Sequence, residues 1–282
     1  MFKTPFSLPC DENVFFILDG SAIDEVGTHI YSLDTQAEAY ALFSQTAHES
    51  LLPVSPWIVR YTEQSAALFH WVSQQGYFQQ GAWLCQSPYD MMQLVAHFQS
   101  LMLVDNGGQE TFFRFADPRV MYALTKDHVQ RQNFAITAPF SVMWFRGTSD
   151  WLSVELALTR EPSLKKYRVS DRDIEIFTAV SKERMVEQLS AHIKTHYPLW
   201  QTRNAHMSSK QVVDEAEGYG ITTEKGVYLY AYLLGSVGHQ ALADNQYPNI
   251  TACLRLPSVY TAEQRVEQAA LIAKQLDKGI MS

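Results

Sequence analysis

The sequence predicts an α+β protein: an N-terminal α/β lobe with a mixed sheet flanked by helices, followed by a mainly helical C-terminal lobe. Three observations carry that expectation. Short apolar runs bounded by turn signals alternate with helical stripes through residues 14–146. A charged stretch from Arg160 to Asp173, holding Pro162, then breaks the pattern. Beyond it the apolar spacing is helical. The expected lobes are residues 1–168 and 169–282, each long enough to bury its own core.

Taken in order, Val14-Phe15-Phe16-Ile17-Leu18 reads as a buried strand that leaves into a turn at Asp19-Gly20. Residues 40–46 and 57–61 are further short strand candidates, the second preceded by Pro53 and Pro56. Residues 63–75 read as a helix with Leu68, Trp71 and Val72 on one side and Gly76 as its stop. Residues 82–85 form a plausible strand. Ser87-Pro88 then offers an N-cap and a first-position proline to a helix whose Met91, Leu94, Val95, Phe98, Leu101 and Met102 share one stripe. Asn106-Gly107-Gly108 turns the chain into a strand over 111–115.

In the second lobe Met185, Val186, Leu189, Ile193 and Tyr197 form a stripe that stops at Pro198. Ser208 with Gln211 and Thr261 with Gln264 have the spacing of capping boxes. The second of these precedes a stripe of Val266, Ala269, Ala270, Ala273 and Leu276. Residues 227–234 are apolar all round and belong at the centre of that lobe.

A formal charge of −8 argues against nucleic acid as the main partner, because phosphate contacts need a basic face. The one dense basic patch, Lys165-Lys166-Tyr167-Arg168, reads as a solvated linker. Cys10, Cys85 and Cys253 are odd in number and far apart, which fits free thiols in a reducing compartment. The N-terminal residues lack the apolar core of a signal peptide, and the longest apolar segment, from Val227, is shorter than the ~20 residues a spanning helix needs. A cytoplasmic protein with no stable membrane insertion is expected.

Catalytic signatures are sparse. His192 and His196 stand at i, i+4, a spacing that can supply two metal ligands, but no cysteine or carboxylate joins them at ligand spacing. They read as a polar edge near a helix C-terminus. Ser163-Leu164-Lys165-Lys166 matches S-x-x-K without its companion motifs. Asp19, Asp24 and Glu25 could form an acid/base pair at a strand end, yet acids there are usually turn and N-cap residues. No nucleophile, base and orienter assemble. The expectation is no enzyme, no metal and no cofactor.

The stretch "FFRFADPRV" at 112–120 stands apart. Alternation places Phe113 and Phe115 on one face and Phe112 and Arg114 on the other. Asp117 suits an N-cap and Pro118 the first helical position, with Val120, Met121 and Leu124 toward the core. Arg114 among aromatics must be paired, stacked or at an edge, since an unpaired buried guanidinium is very costly.

That block, with "GAWLCQSPYDMMQLVAHFQSLMLV" before it and "PFSVMWF" after it, resembles the type VI secretion effector adaptors (Tap or TEC chaperones), whose motif reads roughly F-R-F-Y-D-P-R-V. Arg114, Phe115, Asp117, Pro118, Arg119 and Val120 fall on the motif, while Ala116 stands where tyrosine is usual. The "VFFILDG" and "SPWIVRY" segments extend the likeness over most of residues 14–146. The resemblance implies a cytoplasmic adaptor that binds a toxic effector, through an apolar or N-terminal segment of it, and helps load it onto the VgrG spike. Arg114, Phe115, Asp117, Pro118, Arg119 and Trp144 are its expected partner-binding or scaffold residues. Trp151 and Trp200 are further aromatics near the lobe boundary in sequence, and capture of a helix or extended segment on an apolar surface is the expected mode. The competing readings are a small hydrolase-like α/β enzyme and a structural component of the secretion machine.

Overall fold

The structure, a computed structural model, describes residues 3–6, 13–156, 160–161, 165–204, 207–255 and 259–280. Cys10, Pro162, Ser163 and the end of the 151–158 apolar run lie outside them. Contacts group the chain into two compact units, Met1–Phe177 and Thr178–Ser282.

The first unit holds β1 (Asn13–Leu18), α1 (Val26–Leu33), β2 (Ala39–Ala41), β3 (Trp57–Arg60), α2 (Ala66–Gln74), β4 (Ala82–Ser87) and α3 (Met91–Leu101). It continues with β5 (Leu103–Asn106), β6 (Gln109–Phe112), α4 (Pro118–Gln130), β7 (Val142–Arg146), β8 (Trp151–Glu155) and the start of α5 (Asp171–His196). Six strands form one sheet in the order β2-β3-β1-β4-β7-β8, with antiparallel pairings throughout. β5 and β6 form a separate hairpin, and Asp105 of β5 adds a parallel bridge to Arg168.

Strands β1 and β4 are central and read as continuous apolar runs because both faces of the sheet are covered. One face presents Val14, Phe16, Leu18, Val59, Leu84 and Trp144 to Ile23, Val26 and Ile30 around α1 and to Leu68, Phe69 and Val72 of α2. On the other face Trp83 packs against Phe98 of α3, Phe140 and Phe145, and Tyr122 of α4 closes over Phe145.

Several expected boundaries move. The 40–46 strand is confined to β2, because Leu42 N–H bonds to the Pro56 carbonyl and Phe43 N–H to the Ser55 hydroxyl, which bends the chain off the sheet. The helix expected from Ser87-Pro88 starts later, at Met91. Ser87 stays in β4 opposite Asn13, and Asp90 with Gln93 makes the capping box. The strand over 111–115 ends at Phe112, where Phe113 N–H turns back to the Met102 carbonyl. The 165–168 segment is not simply solvated: Tyr167 is buried, Lys166 pairs with Glu110 and Arg168 with Asp105.

The second unit is helical: the rest of α5, then α6 (Trp200–Arg203), α7 (Ser209–Gly218), α8 (Glu224–Val237), α9 (His239–Ala243), α10 (Pro248–Arg255) and α11 (Ala262–Ile280). α8 lies at its centre, with Val227, Tyr230, Ala231, Leu233 and Leu234 in one core with Leu189, Ile193, Trp200 and Val266. Both capping boxes form. Leu276, expected on the α11 stripe, is exposed.

Asp19-Gly20 is the turn expected, but Gly20 is there for space and not for a positive φ. A Cβ would sit 2.2 Å from the Ser55 carbonyl oxygen and 2.9 Å from the Val54 carbonyl carbon, both backbone atoms. Gly20→Ala is expected to cost about 1–3 kcal/mol through this overlap, read as a lower denaturation midpoint.

Candidate functional site

The junction between β6 and α4 is built on buried carboxylates. Asp117 caps α4, its Oδ1 accepting from the backbone N–H of Arg119 at 3.0 Å and of Val120 at 3.4 Å, with Pro118 at the first helical position. Asp19, at the end of β1, accepts from Ser21 N–H (2.9 Å) and hydroxyl (2.6 Å) on one oxygen. Its other oxygen receives Arg114 Nη2 at 3.5 Å, and the same nitrogen stands 3.9 Å from Asp117 Oδ2. Arg114 remains 52% exposed above these two buried acids. Asp24 and Glu25 make no such contact with Asp19 and lie exposed in the turn before α1.

The rest of the motif faces inward. Phe115 is buried and stacks on Phe98 at 5.1 Å, and its carbonyl accepts from the buried Trp83 indole N–H at 3.0 Å. Phe113 meets Phe115, Tyr167 and Phe177. Ala116 is buried, whereas Phe112 is exposed beside His48, at 4.9 Å. Arg119 Nε donates to the Gln79 carbonyl at 3.4 Å, tying α4 to the turn at Tyr77–Gln79. The structure therefore brings Arg114, Phe115, Asp117, Pro118 and Arg119 together. Trp144 stands apart, buried on the opposite face of the sheet against Phe6, at 5.3 Å.

A second cluster escaped the sequence reading. At the far end of α4, His128 Nε2 lies 3.1 Å from both Asp173 Oδ1 and the Tyr167 hydroxyl. Tyr167 donates to Asp173 Oδ2 at 2.7 Å, Ser170 donates from both its hydroxyl and its N–H, and Arg131 Nη2 donates to Asp173 Oδ1 at 2.9 Å. Asp127 receives Arg131 and Arg172.

Burial pushes the His128 pKa down, and this outweighs the pull of Asp173. Geometry agrees: Nδ1 is buried with no partner, so a proton there would leave an unmatched N–H. Burial alone would raise the Asp173 carboxyl, but the bonds from Ser170, Tyr167 and His128 outweigh it and hold it below the usual carboxylate range. Burial, then the bond to Asp173, pushes the Tyr167 phenol up.

Asp127, His128 and Asp173 have ligand atoms within 4.8 Å of one another, the spacing of a metal site. Two arginines already neutralise these carboxylates, and His128 and Asp173 are fully buried. The chemistry is that of an internal clamp. Only the helical register of Asp127, His128 and Arg131 was visible in sequence; Tyr167 and Asp173 lie in the stretch read as linker.

His192 and His196 do come together, with ring centroids 4.3 Å apart, beside Tyr228. Among the described residues no helix is long and apolar enough to cross a membrane.

Residues 14–133 match the family described as "Domain of unknown function (DUF4123)", from the second residue of β1 to just past α4. That domain is the Tec/Tap adaptor domain of type VI secretion effectors. The match covers less than half of the chain, so over residues 14–133 this chain is similar to that effector-adaptor domain. Its likeness extends beyond the domain: the "Accessory protein VasW" of Vibrio cholerae serotype O1 (strain ATCC 39315 / El Tor Inaba N16961) is 22% identical over 278 residues, covering 94% of this chain and 88% of that protein. No solved structure matches. The adaptor domain contains the whole Arg114–Asp117 junction, while β7, β8 and the Tyr167–Asp173 half of the clamp lie outside it.

Two outcomes separate scaffold from surface here. Arg114→Ala is expected to cost no more than about 1 kcal/mol, since its ion pairs are half exposed, whereas Asp117→Ala removes a cap and should cost about 1–2 kcal/mol. Urea denaturation of the two variants checks the order.

The clamp sets a pH dependence. The folded His128 pKa is lowered, so its stabilising contribution is full above the unfolded value near 6.5 and falls as pH drops below it. Asp173, also lowered, acts in the same direction below the ordinary carboxyl value of 3.8. His192 is likewise held down, by burial and by His196, so the informative quantity is a difference. Between pH 7.5 and 5.5 the wild type should lose melting temperature more steeply than His128→Gln, and Asp173→Asn should lose about 3–5 kcal/mol at pH 7.5.

Proposed function

We propose that this adaptor binds a toxic effector in the cytoplasm, through an apolar or N-terminal segment of it, and helps load it onto a VgrG spike without catalysing a reaction. The match of residues 14–133 to the effector-adaptor domain supports the reading. In it, Arg114 is the motif's outward group: two buried acids orient a guanidinium whose remaining N–H donors face solvent, a geometry suited to a partner's carboxylate or backbone carbonyls. Phe115, Asp117, Pro118 and Trp144 act as scaffold, and Arg119 holds α4 against Gln79. The enzyme alternative draws no support from the His128 clamp, which presents no group to a substrate.

The test is a pull-down of the tagged protein from its native cells, with mass spectrometry. The wild type should recover a VgrG and one large toxin, and Arg114→Ala, folded to the same melting temperature, should recover at least several-fold less of one of them. Recovery of no secretion component by the wild type would overturn the adaptor reading. Undiminished recovery by Arg114→Ala would return that residue to the scaffold.

A further inference from the structure

At the end of the six-stranded sheet, β8 has one edge in the β7 ladder and the other outside it. The pairing decides which backbone groups point outward. Leu156 N–H bonds to the Ser141 carbonyl and Gly147 N–H to the Asp150 carbonyl, so the pairs 141/156 and 147/150 are hydrogen-bonded ones. Antiparallel alternation then assigns Leu152 and Val154 to the β7 ladder and turns the N–H and C=O of Trp151, Ser153 and Glu155 away from it. Among the described residues no backbone group pairs with that outer edge.

A cavity of about 340 Å³ opens beside Trp151. Phe69, Phe78 and Trp151 make its aromatic floor, with Phe78 and Trp151 edge-to-face at 4.9 Å. The Trp151 indole is fixed by donating to the Lys3 carbonyl at 3.0 Å. Lys3 and Arg146 stand in the lining with Asp150 as the single acid. Arg146 donates to the Ser149 carbonyl and lies over the Trp151 ring, and neither cation forms an ion pair among the described residues. In a chain of net charge −8 this is a locally cationic, aromatic concavity.

We propose that β8 and this cavity bind an extended acidic-aromatic segment of a partner protein by strand addition. A residue placed opposite Trp151 on an added strand has its side chain on Trp151's face, where the cavity opens. An aromatic or leucine side chain there fills the aromatic floor. A carboxylate two residues away stays on the same face and meets Lys3 and Arg146. Glu155, on that face at the other end of β8, repels a carboxylate there, so the acid lies toward Arg146. Main-chain bonds supply affinity and the cavity supplies selectivity. The inference stands on the edge and the cavity, independent of Arg114 and of whether the partner is an effector or a spike protein.

The probe is a fluorescein-labelled pool of hexapeptides centred on Phe/Trp/Leu-Thr-Asp/Glu, titrated against the full chain by fluorescence anisotropy, beside a pool with serine at both variable positions. The acidic-aromatic pool should bind at least tenfold more tightly. Ser153→Pro deletes an outward N–H while sparing the β7 ladder, and should weaken binding at least tenfold. Arg146→Gln should weaken binding and flatten its salt dependence. Amide exchange on the unmodified chain gives a readout free of folding effects: the pool should slow exchange at Trp151, Ser153 and Glu155, with Leu152 and Val154 already slow. Equal binding of the two pools, no binding of either, or binding without new protection at those three amides would overturn the proposal.

Discussion

The carbonyl of Phe115 sits in the core of the first unit but belongs to no strand, and a buried carbonyl without a donor costs about 1–3 kcal/mol. Trp83, on central strand β4, supplies the donor from an equally buried indole. This one bond lets the chain leave β6, turn inside the core and start α4 directly over the sheet. The aromatic stack of Phe115 on Phe98 then packs the same turn against α3. Everything the motif presents outward depends on that inward anchoring.

α4 is consequently held at both ends by buried carboxylates, in two different ways. At its N-terminus Asp117 accepts backbone N–H groups, and with Asp19 it supports a guanidinium that stays in water. At its C-terminus Asp173 is enclosed by five donors from Ser170, Tyr167, His128 and Arg131 and is itself fully buried. The first arrangement leaves a guanidinium half exposed; the second buries its carboxylate, imidazole and phenol and leaves only Arg131 partly exposed. An exposed pair contributes little to stability, while a sealed network is costly to break. The same chemistry therefore serves presentation at one end and anchorage at the other.

How much of this was legible follows from the range of the forces involved. Local signals read well: the apolar run of β1, the α3 stripe, Asp117-Pro118 as a helix start and both capping boxes involve residues within one or two turns of each other. Signals that depend on distant partners did not. Ser87 resembled an N-cap, but its hydroxyl is claimed by the Pro139 carbonyl at 2.6 Å, leaving the cap to Asp90. Tyr167 stood among lysines and looked solvated, because Asp173 and His128, which bury it, have no periodic relation to it. Trp144 lies near the lobe boundary in sequence and is expected, with the motif residues, as a partner-binding or scaffold residue, but the pleat of β7 puts it on the other face of the sheet. The open edge of β8 has no sequence signature, since which strand ends a sheet is decided by topology alone.

Gln79 links the two surfaces of the first unit. Its carbonyl is held by Arg119 from the first turn of α4, and the same residue lines the cavity beside Trp151. The turn Tyr77–Gln79 also brings Phe78 into the cavity floor and, through the Asp19 N–H to Gly81 carbonyl bond at 2.8 Å, leads into the residue that supports Arg114. A segment seated in the cavity would thus rest on a wall whose backbone is braced by the motif helix. The two surfaces differ in chemistry, a guanidinium over buried acids on one side and, on the other, an aromatic floor with cations that form no ion pair among the described residues. At the second, the outer backbone edge of β8 adjoins the cations, an arrangement suited to an extended segment. The short turn that the two surfaces share couples the packing of the motif helix to the cavity wall even where the motif's own side chains stay buried.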